Sequence, residues 1–246
     1  MCGIFGGLAL TAQPIAATVI QAMSLRVARR GPDDEGEFRD DPVVLGHRRL
    51  AIIDLSAQGH QPMGDSSGRY SIVFNGTIYN YPELREQLID KGYQFKSHSD
   101  TEVILNAYAH WGESCVQMLH GMFAFAIWDR HTRGLFLARD RMGIKPLYYV
   151  KTDQFFYFAS NIQALIATGV ADTRLDSQSL HHLFTLHAVV PAPRTLLRGL
   201  RSGERKYFIA TGLWLGVGVY SYQAMRVAPL IVVAGVALAM LRGVVL

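Results

Sequence analysis

The sequence lacks the features of a secreted, nucleic-acid-binding or metal-dependent protein. Its 246 residues include only two cysteines, Cys2 and Cys115, so a disulfide framework is excluded and a reducing, cytoplasmic compartment is expected. The net charge of +4 comes from scattered Lys and Arg without a dense basic run, and we predict no nucleic-acid partner. The nine histidines show no metal-ligand spacing, so no metal site is predicted. The N-terminus also lacks the basic and apolar regions of a signal peptide.

A cysteine directly follows the initiator methionine. If Met1 is removed, which is a hypothesis, Cys2 carries a thiol and a free α-amine on the same carbon. An amine with a pKa of about 7.7–8.0 can then accept the proton of a thiol with a pKa of about 8.5. The Ile4-Phe5 pair between glycines favours a buried strand that opens into a pocket. The alternative is an ordinary buried strand with an inert cysteine.

Two polar stretches interrupt the apolar pattern that follows. A four-residue apolar repeat over residues 15–27 predicts an amphipathic helix, and residues 29–36 predict a polar loop in which Gly31 permits a positive φ. Residues 43–54 predict a strand, a charged interruption and a second apolar run. Within that interruption, Arg49 either caps carbonyl groups or binds a planar carboxylate through its two-pronged guanidinium.

Asn75 and Gly76 follow a strand predicted over residues 70–74. An Asn-Gly pair is typical of a tight turn, and the functional alternative is an oxyanion hole formed by the Asn75 side-chain amide and the Gly76 N–H. Residues 99–102 fit a capping box at the start of a helix. There Asp100 either favours the helix dipole or holds the ammonium group of a ligand.

The remaining pattern predicts antiparallel strands flanked by helices, which indicates a layered α+β domain. A helix opened by Pro82 is predicted over residues 83–91. The later strands are predicted at residues 122–129, 134–140, 143–149 and 155–160, and the later helices at 162–167 and 179–186.

Several segments together resemble one family, in that family's order. They are MCGIFG, RGPDDEG, HRRLAIID, NGTIYNY, SDTEVI, GMFAFAIWD, RDRMGIKPLYY and FASNIQAL. Over residues 1–200 the chain resembles the glutaminase domain of class II, N-terminal-nucleophile glutamine amidotransferases of the asparagine synthetase type. The resemblance implies a four-layer αββα sandwich with two antiparallel sheets.

The same resemblance implies a role for each candidate residue. Cys2 would attack the γ-amide of glutamine, while Asn75 and Gly76 stabilise the oxyanion. Arg49 would bind the substrate α-carboxylate and Asp100 its α-ammonium. The pocket would also be lined by the backbone around Leu50, Ile52 and Ile53.

Three positions depart from the family pattern. Thr77 stands where the motif has Glu, which removes an acidic group beside the substrate amine and predicts a raised KM rather than an inactive site. Arg29 replaces a His and Asn161 a Glu. Both of these changes bear on loop geometry or domain docking more than on chemistry.

The C-terminal part departs most from the family. We predict a glutaminase domain over residues 1–189, a linker over 190–206 that is similar to the start of the synthetase connection, and an apolar tail over 207–246. The Ser-Gly-Gly-x-Asp-Ser loop of the synthetase does not occur in this sequence, so ATP and magnesium are expected only in a separate synthetase, and no cofactor is predicted for this chain. The tail is either a membrane segment, preceded by basic residues that favour a cytoplasmic domain, or an unrelated replacement sequence.

The predicted function is hydrolysis of L-glutamine to glutamate and ammonia through a Cys2 thioester, with the ammonia used by a separate synthetase domain or subunit. One alternative is a catalytically impaired, truncated remnant or a membrane-associated binding module. Another is an N-terminal-nucleophile hydrolase that acts on a different amide, although a paired Arg49 and Asp100 favour a free amino acid. The amide acceptor and the oligomeric state are not predicted.

Overall fold

A computed structural model of the chain describes residues 1–51 and 56–174. Within these ranges the strands are β1 (Gly3–Ala9), β2 (Asp34–Asp40), β3 (Val43–Arg49), β4 (Met63–Gly64), β5 (Tyr70–Ile78), β6 (Gly121–Asp129), β7 (Gly134–Arg139), β8 (Tyr148–Lys151) and β9 (Phe155–Ala159). The α-helices are α1 (Ala17–Val27), α2 (Tyr81–Asp90), α3 (Asp100–Trp111) and α4 (Ile162–Ile166).

The strands of the described residues form two antiparallel sheets. The first has the order β2-β3-β1-β9-β8 and the second β4-β5-β6-β7. In the second sheet, β4 is so short that it pairs only with Ile72 and Ser71 of β5, whereas β6 pairs with β5 from Tyr70 to Ile78. Beyond Ile72, one edge of β5 is therefore left without a partner among the described strands.

Three apolar clusters pack the helices and the two sheets into layers. One packs α1 and α4 against the first sheet, and another packs α2 and α3 against the second. The third draws side chains from both sheets, including Ile4, Leu45, Val73 and Trp128, and so fills the space between them. The order of layers is helix, sheet, sheet, helix. The predicted four-layer αββα sandwich is confirmed.

Several local predictions need correction. Asn75 and Gly76 pair with Ala124 and Phe123 of β6 inside a continuous strand, so the tight turn is wrong. Gly31 does not use the positive φ that glycine permits, since its φ is −147°. A glycine is needed there because a Cβ would overlap the Arg48 carbonyl oxygen.

The predicted polar loop and one predicted strand are also wrong in their bounds. β2 begins at Asp34, inside the expected loop of residues 29–36, because its residues pair with β3. β8 begins only at Tyr148, so most of residues 143–149 lies outside any strand.

The predicted capping box is half formed. The Ser99 hydroxyl accepts a hydrogen bond from the Thr101 N–H at 3.1 Å. Glu102 instead accepts from the backbone N–H groups of Lys96 and Ser97, so its carboxylate holds the segment before the helix.

Other predictions fall outside the described residues. These are the helix at 179–186, the linker at 190–206 and the tail at 207–246. The described residues 1–173 form one compact unit, and the predicted domain boundary at residue 189 stays a prediction. In residues 1–51 and 56–174, no helix is long and apolar enough to cross a membrane.

Candidate active site

Cys2 lies at one end of the space between the sheets. It precedes Ile4 by two residues, so strand alternation directs its side chain toward the layer that Ile4 fills. The Leu50 N–H donates to Cys2 Sγ at 3.4 Å, and the thiol donates to the Leu50 carbonyl oxygen at 3.5 Å. Burial raises the pKa of the Cys2 thiol, while the Leu50 amide, the N-terminal amine and the Arg49 charge act against that rise.

β3 brings two polar side chains to the same space. Val43 and Leu45 face the layer between the sheets, and the alternation continues to His47 and Arg49. Arg49 is only 8% exposed. Its Nη1 donates to the Ser56 carbonyl oxygen at 3.0 Å, so part of the guanidinium is held by backbone.

Asn75 supplies a buried amide donor to the site. Its side chain is 1% exposed, and its Nδ2 has no hydrogen-bond partner among the residues that the structure describes. A buried donor without a partner costs about 1–3 kcal/mol, so such groups are rare unless a ligand or an ordered water satisfies them. The site therefore holds a donor that is available for an acceptor atom.

The open edge of β5 directs a second donor to the same place. On this edge the Phe74 N–H donates to Gln61 Oε1 at 2.7 Å, and the Ile78 N–H donates to Asp100 Oδ2 at 3.0 Å. Because alternate residues of a strand present their N–H groups to the same edge, the Gly76 N–H also points there. Gly76 cannot be replaced without strain, since a Cβ would overlap the Met122 carbonyl oxygen.

His47 holds the peptide group that precedes Asn75. It is fully buried, and its Nε2 lies 3.2 Å from the Phe74 carbonyl oxygen. Burial lowers the pKa of His47 to about 4, so the ring is neutral at physiological pH. Since a carbonyl oxygen only accepts, the neutral tautomer carries its proton on Nε2 and donates to Phe74.

Asp100 places a carboxylate at the start of α3. Its side chain is 4% exposed, and burial raises its pKa to about 6, although N–H donors such as that of Ile78 oppose the rise. A carboxylate with such a pKa is partly protonated in mildly acidic solution and ionised at neutral pH. A cation bound beside it would offset the desolvation of the ionised form.

One cavity of about 490 Å³ joins these groups. The predicted site residues that line it are Cys2, Arg49, Leu50, Asn75, Gly76 and Asp100. Thr77 also lines the cavity, where the motif predicts Glu. The structure thus brings the described members of the predicted set together, whereas Ile52 and Ile53 lie outside the described residues.

Three further residues at the site did not follow from the sequence. Arg30 Nε donates to the Cys2 carbonyl oxygen at 3.1 Å. Lys145 is 5% exposed, lines the cavity and reaches Met1 Sδ at 3.4 Å. Gln61 lines the cavity beside β5. In the sequence, Lys145 could be noticed only as a cation within an otherwise apolar segment. No feature of the sequence marks Gln61 as a site residue.

The two other departures from the family pattern lie away from the cavity. Asn161 Oδ1 accepts from the Ala164 N–H at 2.8 Å, and its Nδ2 donates to the Arg26 carbonyl oxygen at 2.9 Å. Asn161 therefore caps α4 and ties it to the end of α1. Arg29 is exposed.

Metal chemistry has no visible site in the described part of the chain. In residues 1–51 and 56–174, no group of three or more His, Cys, Asp or Glu side chains is arranged to hold a metal ion. The prediction that the chain uses no metal or cofactor stays a prediction.

Comparison with known proteins identifies the family. Residues 1–210 match the glutamine amidotransferase domain. The chain belongs to this family. It is 41% identical over 192 residues to asparagine synthetase [glutamine-hydrolyzing] 3 of Bacillus subtilis and 43% identical over 201 residues to asparagine synthetase 1 of the same organism. These matches cover 76% and 80% of this chain but only 31% of each relative.

A solved structure supports the fold of this amidotransferase domain. The glutamine phosphoribosylpyrophosphate amidotransferase from B. subtilis, complexed with ADP and GMP, matches with a TM-score of 0.59 at 21% identity. The match covers 68% of this chain and 44% of the other. At that identity the likeness concerns the fold alone. The chain spans about a third of the length of the B. subtilis asparagine synthetases that it matches.

Proposed function

We propose that this domain hydrolyses L-glutamine to glutamate and ammonia through a thioester on Cys2. One observation carries the proposal: a thiol, an Asn75 amide donor that has no partner among the described residues, and the carboxylate of Asp100 line a single cavity. These are the groups that acyl transfer from an amino acid amide requires, namely a nucleophile, an oxyanion donor and a partner for an ammonium group.

Acylation begins once Met1 has been removed. The free α-amine of Cys2 takes the thiol proton, and the sulfur attacks the γ-carboxamide carbon of glutamine. The carbonyl oxygen becomes an oxyanion, which accepts hydrogen bonds from Asn75 Nδ2 and the Gly76 N–H. The α-ammonium then returns its proton to the leaving nitrogen, the C–N bond breaks and ammonia departs, leaving a glutamyl thioester.

Deacylation repeats these steps with water. The α-amine takes a proton from water as its oxygen attacks the thioester carbon, and the same two donors stabilise the second oxyanion. The C–S bond breaks, the thiolate regains its proton and glutamate is released. Each cycle consumes one water and releases one ammonia.

Recognition of a free amino acid rests on two charges of opposite sign. The Arg49 guanidinium suits a carboxylate, and Asp100 suits an ammonium group. Both side chains are more than nine-tenths buried at the cavity, so each interaction would form in a poorly solvated environment. The clamp would select glutamine over an amide that lacks either charge.

The ammonia would serve an ATP-dependent synthetase. The B. subtilis relatives are named as glutamine-hydrolysing asparagine synthetases, and this chain matches 31% of their length. We infer that the synthetase, with its ATP and magnesium, is a separate domain or subunit. The described residues would then catalyse only the glutaminase half-reaction.

The test is glutamate release from L-glutamine by the full chain, with intact mass recorded to establish removal of Met1. Cys2→Ala is expected to lower the rate by at least roughly 10⁴-fold without unfolding the protein, because the nucleophile and its thioester are lost. Cys115→Ala is the matched control. The Cys115 thiol is fully buried in the cluster beneath α3, and burial raises its pKa to about 12.

The control variant should keep its activity after correction for folded protein. No glutamate release by folded chain that lacks Met1 would reject the proposal and favour a non-catalytic remnant. Equal rates for wild type and Cys2→Ala would reject the thioester.

A further inference from the structure

Gln61 connects the two parts of the candidate site. Its side chain is 5% exposed and makes two hydrogen bonds in opposite directions. Oε1 accepts from the Phe74 N–H at 2.7 Å, and Nε2 donates to Thr101 Oγ1 at 3.1 Å. One bond therefore holds β5 and the other holds the start of α3.

On the β5 side, Gln61 takes the place of a neighbouring strand. β4 pairs with β5 only as far as Ile72, so Phe74 has no strand partner on that edge in the described part of the chain. Gln61 satisfies the Phe74 N–H while His47 satisfies its carbonyl oxygen. Both peptide groups of Phe74 are thus fixed immediately before Asn75, which carries the proposed oxyanion donor.

On the α3 side, Gln61 binds the residue next to Asp100. Thr101 is 1% exposed, and its own N–H is held by the Ser99 hydroxyl. A second link between the same elements is the bond from the Ile78 N–H to Asp100. The buried amide of Gln61 thus connects the strand that carries the oxyanion donors to the helix start that carries Asp100.

We propose that Gln61 is a positioning residue that fixes the distance between the oxyanion donors on β5 and the ammonium-binding end of α3. The proposal rests on the glutaminase function proposed above. It assigns Gln61 no contact with the reacting atoms. Its effect is transmitted through Phe74 and Thr101.

The test compares kcat and KM for glutamine in the wild type and in Gln61→Met. Methionine has a similar length but makes neither hydrogen bond. Rates are expressed per active site, counted by titrating Cys2 with a glutamine-analogue electrophile that alkylates its thiol. We expect kcat per site to fall about 10- to 100-fold and KM to rise, because the oxyanion donors and Asp100 are no longer held at the correct distance from each other.

Asn80→Leu is the matched control. Asn80 also makes two hydrogen bonds through a single amide, accepting from the His120 N–H and donating to the Met118 carbonyl oxygen, and these bonds tie the start of α2 to the segment before β6. It does not line the cavity. This variant should lose stability while its kcat per site and KM stay near the wild-type values.

Gln61→Glu separates positioning from stability. Its carboxylate still accepts from the Phe74 N–H and can accept from the Thr101 hydroxyl, so kcat per site should recover most of the loss even though a buried charge lowers the melting temperature. If Gln61→Met does not fold, Gln61→Asn gives the same readout. Its amide is one methylene shorter and cannot keep both partners.

The outcomes distinguish this inference from the function on which it rests. Wild type that releases no glutamate rejects the proposed function itself. Active wild type with an unchanged kcat per site and KM in Gln61→Met, or in Gln61→Asn where that variant replaces it, rejects the role of Gln61. The same holds if Asn80→Leu shows an equal loss per site.

Discussion

The layer between the two sheets is apolar in its middle and polar at one end, although the same strands build both parts. The residues change in steps of two along the chain, from Ile4 on β1 to Cys2 just before that strand, from Leu45 to His47 on β3 and from Val73 to Asn75 on β5. On β3 and β5 burial does not separate the two regions, since Leu45 and His47 are both 0% exposed and Val73 and Asn75 are 0% and 1% exposed. What separates them is the presence of polar atoms without partners among the described residues, Asn75 Nδ2 and His47 Nδ1.

The same strands that form the apolar core also position the polar groups of the candidate site. Strand alternation fixes which positions face the layer, and the same positions serve packing or chemistry according to residue type. Rigid packing around the apolar middle holds the polar end in place. Substitutions two residues apart on the same face should therefore have different effects.

The largest difference is expected between Asn75→Ala and Val73→Ala. Loss of the Asn75 amide should lower kcat about 10²- to 10³-fold, because one of two oxyanion donors is removed. Val73→Ala should instead lower the free energy of unfolding by about 2 kcal/mol through lost burial and a small cavity, with kcat retained. Steady-state kinetics and chemical denaturation on both variants measure the pair.

A kcat loss shared by both variants would show that Asn75 acts only through packing. In that case the functional distinction between the two ends of the layer would fail.

Asp100→Asn should raise KM for glutamine about 10- to 100-fold, since a charge-assisted hydrogen bond to the substrate ammonium is lost. In the wild type, KM should also rise as the pH falls below about 6, where the empty site binds a proton on Asp100. The variant should lack that rise. KM measured from pH 5 to 8 tests both statements.

Glu102→Gln is the control, because this carboxylate lies one residue beyond Thr101 but holds Lys96 and Ser97 instead of lining the cavity that contains Cys2 and Asp100. Its KM and pH profile should follow the wild type. A profile for Asp100→Asn that still rises below pH 6 would assign the titration to another group.

Asp100→Asn should increase the stability of the folded protein although it weakens the binding of glutamine. The pKa of Asp100 is raised on folding, so its stabilising contribution is present below about pH 4 and is lost as the pH rises through about 6. The uncharged asparagine of the variant carries no such loss. We expect the variant to be more stable than the wild type by about 2–3 kcal/mol at pH 7.5 and nearly equal to it at pH 4.

Denaturant unfolding at the two pH values measures this difference. His47 titrates in both proteins and cancels in the comparison. Equal stability at both pH values would mean that Asp100 is not a buried, ionised group without a counter-charge.

The smallest effect is expected from Thr77→Glu, which restores the acidic residue of the family motif in the cavity. A second carboxylate beside the substrate amine should lower KM about tenfold. The decrease in KM is smaller than a charge-assisted hydrogen bond would give by itself, because the new carboxylate also repels Asp100. Glutamine titration of the initial rate measures it, with Thr77→Gln as the uncharged control. An equal gain from Thr77→Gln would assign the effect to hydrogen bonding and not to charge.

Much of the fold and of the candidate site could be predicted from the sequence, because the residues concerned are recognisable from their immediate neighbours in the chain. Cys2, Arg49 and Asp100 stand out as reactive or charged residues beside apolar strands or at a helix start. Of the two alternatives at Asn75 and Gly76, the tight turn is wrong because pairing with β6 outweighs a local propensity.

Long-range contacts explain what the sequence did not predict. The partners of Gln61 lie 13 and 40 residues away in the chain, and Lys145 meets Met1 across 144 residues. Nor does any local pattern indicate that burial raises the pKa of Asp100 to about 6. Such properties depend on how the elements pack.

The most direct test of glutamine hydrolysis through a Cys2 thioester is to trap the covalent intermediate. Chain lacking Met1 is mixed with glutamine, quenched in acid during turnover and digested, and the mass of the N-terminal peptide is measured. We expect a glutamyl group on Cys2 that appears before steady state and is absent from Cys115 and from the Asn75→Ala protein quenched at the same time. Glutamate release without any adduct on Cys2, at a rate unchanged in Cys2→Ala, would contradict it.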